Sequence, residues 1–307
     1  MAGAEPVRLP GPVRHNASRL DGPVPQIANI RVMEKHPAFP TLAQAVFILF
    51  ILYGVFMLVA SAFVDAMGRF KDGDPVASGV IITVSVGMVI AALMTYKHLS
   101  YAALMHPGPS SVWSVLLLLA LPVTLLFAGL AILMQDVLAL VIYLLPLTRS
   151  QYESFQLLGS QGAASLIALC LVAPFLEEML FRGIFLRSFL NQYSVGQAIV
   201  FSSLLFGAYH MNIYQCFAAT TVGLIVAWLY LRTGSLWPCI LAHAVYNFTW
   251  FALPTGGPNA LTVGGIGMPA LELQLAAVVM VVLGGAGMVK LLGLGMTSAS
   301  GQTRQAD

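Results

Sequence analysis

From residue 40 onward the chain alternates between long apolar runs and short polar breaks. Apolar runs of roughly 17–25 residues are the length an α-helix needs to cross a bilayer. Such runs fall near 42–66, 77–96, 112–134, 162–189, 196–213, 216–232, 236–254 and 271–293. They predict about eight transmembrane helices. The segment 136–147 is apolar but short. It either extends the third helix or lies at the interface together with "TRSQYESFQLLGS". The Gly-rich stretch "PTGGPNALTVGGIGMP" reads as a loop. No internal repeat is visible.

Residues 1–40 break the pattern. They are rich in Pro, Gly and Arg, as in "AEPVRLPGPVRHNASRLDGPVPQ", and carry no apolar stretch of the kind a cleaved signal peptide needs. They read as a solvated arm, with contact to anionic lipid as the alternative. The expected organisation is an arm over 1–40, a transmembrane helical domain over 41–295 and a tail over 296–307.

Composition supports the membrane reading. The 307 residues are 59% hydrophobic and 8% charged, against about 25% charged in soluble domains. That leaves too little charge to cover a soluble surface. The expected fold is therefore all-α, a polytopic membrane helical bundle. A formal net charge of +2 gives no reason to expect a nucleic-acid partner. Cys170, Cys216 and Cys239 form no pattern and read as small core residues. If the N-terminus is cytoplasmic, the inner side holds Arg8, Arg14, Arg19, Arg31, Lys35, Lys97, Arg187, Arg232, Lys290 and Arg304. The outer side then holds Arg69, Lys71 and Arg149, and ten against three predicts both termini inside.

Against that background, "LVAPFLEEMLFRGIFL" places Glu177, Glu178 and Arg182 inside a predicted span. Charge at a helix centre costs at least ~2.5–3.5 kcal/mol per residue in a bilayer, so these groups should face a bundle interior or a wet cavity. Glu178 and Arg182 are four apart, share a helical face and can pair. Glu177 is rotated by about 100° from Glu178 and need not join them. A structural ion cluster is the plainer reading of all three. Pro174 removes a backbone donor just before them and predicts a kink.

The next span carries "SSLLFGAYHMN", with Phe206 one turn before His210. The seventh carries "TGSLWPCILAHAVYN", in which His243 and Asn247 share a face. Taken singly, His210 reads as a hydrogen-bonded helix-end residue, and His243 with Asn247 as a polar bridge between helices. Together they read differently. A carboxylate and an imidazole can hold a water and remove its proton. A second imidazole and an amide can donate to the oxygen that becomes negative when a peptide carbonyl is attacked. No Gly-x-Ser-x-Gly, catalytic Cys–His context or His-Glu-x-x-His is present, so Ser, Cys and zincin mechanisms find no support.

These three motifs, "EEMLFR", "FGAYH" and "HAVYN", resemble those of the CPBP (ABI) group of intramembrane endopeptidases, which includes the type II CAAX prenyl endopeptidases. The resemblance covers about residues 160–255; residues 1–150 carry no family signal. It implies peptide hydrolysis inside a cavity of the bundle, with Glu177 as general base, His210 sharing the water, and His243 and Asn247 forming the oxyanion site. Glu178, Arg182 and Phe206 would be supporting residues. The implied partners are a membrane-embedded or lipidated peptide or protein substrate and the bilayer itself. No cofactor is required; if zinc were used, Glu177, His210 and His243 would be its ligands. Two other readings compete: a non-catalytic scaffold or immunity factor of the same fold, and a transporter or proton relay. On these boundaries His210 lies roughly 10 Å deeper than Glu177 and His243, so its helix should start later, break or tilt.

Overall fold

The apolar runs become helices in the computed structural model, which describes residues 39–67, 75–107, 110–149, 151, 163–253, 262–263, 266–267 and 269–302. Four helices come first: α1 (Leu42–Met67), α2 (Pro75–Tyr96), the short α3 (Tyr101–Met105) and α4 (Val112–Leu144). A continuous helical stretch follows, built as α5 (Ala163–Ile167), a π-helical turn (Ala168–Val172), α6 (Ala173–Glu178), a π-helical segment (Met179–Leu186) and α7 (Arg187–Leu190). Then come α8 (Val195–Tyr209), α9 (Ile213–Thr233), α10 (Leu236–Ala252) and α11 (Leu271–Gln302). The expected all-α bundle of a membrane protein is what forms. The predicted count of eight spans is not carried by helix length. Among the described residues, five helices (α1, α2, α4, α9 and α11) are long and apolar enough to cross a membrane. The 15 residues of α8 and the 17 of α10 reach only about 22–26 Å, short of a hydrocarbon core of ~30 Å. The fourth predicted run is interrupted by its two π-helical pieces.

The apolar segment 136–147 resolves as an extension of the third helix, since α4 runs unbroken for 33 residues past Pro122. The Gly-rich stretch expected as a loop contains a two-residue antiparallel pair, β1 (Thr262–Val263) and β2 (Ile266–Gly267), with Val263 opposite Ile266. The predicted arm before Phe39 and the last five residues, 303–307, lie outside the described residues.

The ends of the helices that carry the candidate site are fixed locally. Ser194 and Gln197 form a reciprocal capping box at the start of α8. Asn212 accepts from the Tyr214 N–H at 2.9 Å and starts α9 two residues after His210. Gly234, at φ 61°, ends α9 in the left-handed conformation that glycine adopts without strain, and Ser235 caps α10. The most extensive packing joins α4 to α11, α8 to α9, and α4 to α10. At Gly207 the α8 and α9 backbones come so close that a Cβ would collide with Thr220 Oγ1 and sit 2.7 Å from the Cys216 carbonyl oxygen. His210 is therefore held at the seam of the two helices. The core around them is aromatic: Phe181 lies edge-on to Phe185 and Phe206, at 5.5 and 5.1 Å between ring centroids.

Candidate active site

The helix that bears the two glutamates is built around one missing donor. Pro174 has no N–H. The Ala173 N–H reaches five residues back to the Ala168 carbonyl, so the helix widens into a π turn. Leu169 is left with a carbonyl that neither residue 173 nor residue 174 serves. The Asn247 side chain on α10 donates to it at 2.8 Å. At Pro174 the helix opens, and Asn247 fills the opening.

From that helix the two carboxylates point different ways. Glu178 and Arg182 are fully buried, and Arg182 Nη1 donates to Glu178 Oε1 at 2.9 Å. The four-residue spacing brings them together even though Arg182 lies in a π-helical segment. Arg182 Nη2 donates to the Gly223 carbonyl at 3.1 Å, and its guanidinium lies 4.6 Å from the centroid of the Phe206 ring. Glu178 Oε1 also meets His243 Nδ1 at 2.9 Å. Because that oxygen already accepts from Arg182, the His243 ring nitrogen is the donor. This second role for Glu178 is not visible in the sequence, which suggests only its pairing with Arg182.

Glu177 faces elsewhere, as the rotation between adjacent helical residues predicts. It is 8% exposed and its Oε2 lies 3.7 Å from His243 Nε2. His210, half-buried at the end of α8, places Nδ1 2.9 Å from the Phe206 carbonyl oxygen. A carbonyl can only accept, so Nδ1 carries the proton and Nε2 is the basic nitrogen of the neutral ring. Phe206 packs edge-on against both imidazoles, with centroids 5.1 Å from His210 and 5.4 Å from His243. The depth mismatch expected for His210 is not met by a late or broken α8, which runs unbroken from Val195 to Tyr209. The helix that bears Glu177 is the one with π-helical irregularity.

Glu177, His210, His243 and Asn247 all line one cavity of about 1330 Å³, whose other walls come from α1, α2, α4, α8 and α9. Among the described residues, His210 and Glu177 make no direct hydrogen bond; they share the cavity. No group of three or more His, Cys, Asp or Glu side chains among the described residues is arranged to hold a metal ion. Among the further polar residues that line the same cavity, the sequence reading does not single out Ser85, Gln135 and Tyr246. Each interrupts an apolar helix, and that interruption is the only signal the sequence offers for them.

The ion cluster makes a stability prediction. Arg182→Met leaves Glu178 buried with His243 alone, and breaking a buried pair in this way costs about 3–5 kcal/mol. Thermal unfolding in detergent should show Arg182→Met as less stable than the double variant Glu178→Gln/Arg182→Met. Equal unfolding midpoints for the wild type and Arg182→Met would contradict a structural role for the pair.

Comparison with known proteins points the same way. Residues 159–249 match the family model described as "Type II CAAX prenyl endopeptidase Rce1-like". A Bacillus subtilis (strain 168) protein named "Putative membrane peptidase YdiL" is 33% identical over 82 residues, which is 27% of this chain and 34% of that protein. The chain thus spans about a third of that relative's length. No solved structure matches the chain. The matched segment holds Glu177, Glu178, Arg182, Phe206, His210, His243 and Asn247, so the stretch over which the chain is similar to the type II CAAX prenyl endopeptidase model is the one that carries the candidate site.

Proposed function

We propose that this protein is an intramembrane endopeptidase that hydrolyses a peptide bond of a membrane-associated or lipid-anchored substrate with a glutamate-activated water. The observation that carries the reading is the convergence of Glu177, His210, His243 and Asn247, from three helices, on one large cavity. In the proposed reaction a water sits between Glu177 and His210 Nε2. Glu177 takes one of its protons as the oxygen attacks the scissile carbonyl. The carbonyl oxygen, now negative, accepts hydrogen bonds from the Asn247 amide and from His243 Nε2 when that nitrogen carries a proton. Glu177 then returns its proton to the leaving amine. Glu178 orients the His243 ring through Nδ1, and Arg182 holds Glu178 in turn. Both termini are assigned to the cytoplasmic side.

The substrate assignment draws on the family model's printed description, a CAAX prenyl endopeptidase, and on the cavity. At about 1330 Å³ it exceeds the roughly 300–1,000 Å³ of small-molecule pockets, and α1, α2 and α4 wall it mostly with aliphatic and aromatic side chains. That suits a peptide carrying an apolar anchor. The purified chain in detergent, given a farnesylated peptide with a CAAX ending, is expected to release the terminal tripeptide. A panel of lipidated and transmembrane peptides left intact would favour the scaffold reading, and proton flux in proteoliposomes without cleavage would favour the relay.

The water is held without an obligatory metal in this scheme. His243 Nδ1 is held by Glu178 and His210 Nδ1 by a backbone carbonyl, which leaves the two Nε2 atoms for the water in this scheme. On the metal-free reading activity survives exhaustive dialysis against a strong chelator, and elemental analysis finds far less than one zinc per chain. Stoichiometric zinc with activity that chelation removes and zinc restores would make Glu177, His210 and His243 ligands instead.

A further inference from the structure

We propose that Ser85, Gln135 and Tyr246 form a polar subsite that takes the backbone amide groups flanking the scissile bond of the substrate, an inference that rests on the peptidase reading above. The three residues stand on α2, α4 and α10 and line the same cavity as the four candidate catalytic residues. Ser85 is fully buried, Gln135 is 5% exposed and Tyr246 8%. Ser85 Oγ and the Tyr246 hydroxyl have no hydrogen-bond partner among the described residues, and the Gln135 side chain forms no hydrogen bond among them either. Their neighbours on the cavity wall, Ile82, Val86, Met134 and Leu138, have nothing to donate or accept. Buried polar groups normally find partners, and leaving one without is costly. Three such groups around one cavity point to a partner that arrives with the occupant.

The chemistry of the three narrows what that occupant presents. A hydroxyl and a carboxamide each donate and accept, and none of the three carries charge. None of the three supplies a countercharge to an ion, and a hydrocarbon anchor has no hydrogen-bonding group to offer. A peptide backbone offers alternating N–H and C=O groups. Those groups lose their water on entering a cavity at bilayer depth and need replacements there. Glu177, His210, His243 and Asn247 serve only the attacking water and the scissile carbonyl, so the amides on either side fall to other residues. Ser85, Gln135 and Tyr246 complete that set.

The test uses the full chain in detergent, with Ser85→Ala, Gln135→Met and Tyr246→Phe as near-isosteric variants. The probe is a fluorescent farnesylated CAAX-ended peptide, alongside the same peptide N-methylated at the amides flanking the scissile bond. One lost hydrogen bond of ordinary strength corresponds to about a 3–10-fold change in affinity. Each variant is expected to raise KM by about that factor, with a smaller effect on kcat. The variants should lose most of this sensitivity on the N-methylated peptide. Without peptide, their unfolding midpoints should stay level or rise, because each removes an unpartnered group. Unchanged KM in all three would mean that water alone fills the subsite and would overturn the proposal, as would equal KM effects on both peptides. If the chain cleaves neither peptide, fluorescence anisotropy of the same probe on the Glu177→Gln chain separates the two failures. Weaker binding by the three variants in that background keeps the subsite while the peptidase reading falls, and equal binding overturns the subsite itself.

Discussion

Replacing Glu177 by glutamine is expected to lower turnover by a factor on the order of 10² to 10⁴, the loss that follows removal of a general base, while leaving the fold intact. The structure explains why the two effects should separate. Glu177 lines the cavity, and its Oε2 lies 3.7 Å from His243 Nε2. Glutamine matches its shape and breaks no short contact. Glu178→Gln should show the opposite balance. Glu178 is fully buried and its Oε1 holds both Arg182 and His243 at 2.9 Å. The amide oxygen of glutamine can still accept one of these bonds, but the charge that balances Arg182 is gone. Glu178→Gln should therefore lose more stability and less turnover than Glu177→Gln. Cleavage of a farnesylated CAAX-ended peptide and thermal unfolding of both variants decide the matter. Equal loss of kcat in the two would defeat this division of roles.

Much of this site could be read from residue spacing alone. The pairing of Glu178 with Arg182 follows from a four-residue interval, and the separate direction of Glu177 from one residue's rotation on a helix. The shared face of His243 and Asn247 follows in the same way. What spacing does not reveal is anything that depends on two helices meeting. Nothing in "HAVYN" says that His243 turns its Nδ1 toward Glu178, 65 residues away. Nothing in "ALCLVAP" says which side chain will reach the carbonyl that Pro174 leaves open. The same limit bears on the number of spans. Hydropathy finds apolar runs, but α8 stops at Tyr209, and the fourth run, though continuous, changes helix type around a proline near its middle. Ser85, Gln135 and Tyr246 are legible only as interruptions of apolar helices, and whether such an interruption faces a neighbour, lipid or a cavity is a property of the packed bundle.

Asn247→Ala is expected to lower kcat by about 10²–10³ with KM little changed, as loss of one oxyanion donor does elsewhere. The hydrogen bond to Leu169 complicates that expectation and also supplies its control. One N–H of the Asn247 amide is held by the Leu169 carbonyl at 2.8 Å; the other is left to act in the cavity, with its direction set by the first. Removing the side chain deletes a donor from the cavity and also strips Leu169 of its partner, which costs about 1–3 kcal/mol of stability. The two losses separate in the background of Pro174→Ala. Alanine restores a backbone N–H at position 174, which can take up the Leu169 carbonyl five residues back in the π-helical pattern. Asn247→Ala should therefore destabilise the Pro174→Ala chain less than it destabilises the wild type. If Asn247 acts on the transition state, kcat should fall by a similar factor in both backgrounds, because no backbone donor replaces the one lost from the cavity. If Asn247 only braces the helix of Glu177, turnover should recover together with stability. Turnover that tracks the unfolding midpoint across the four chains would remove Asn247 from the chemistry and leave His243 as the proposed oxyanion donor.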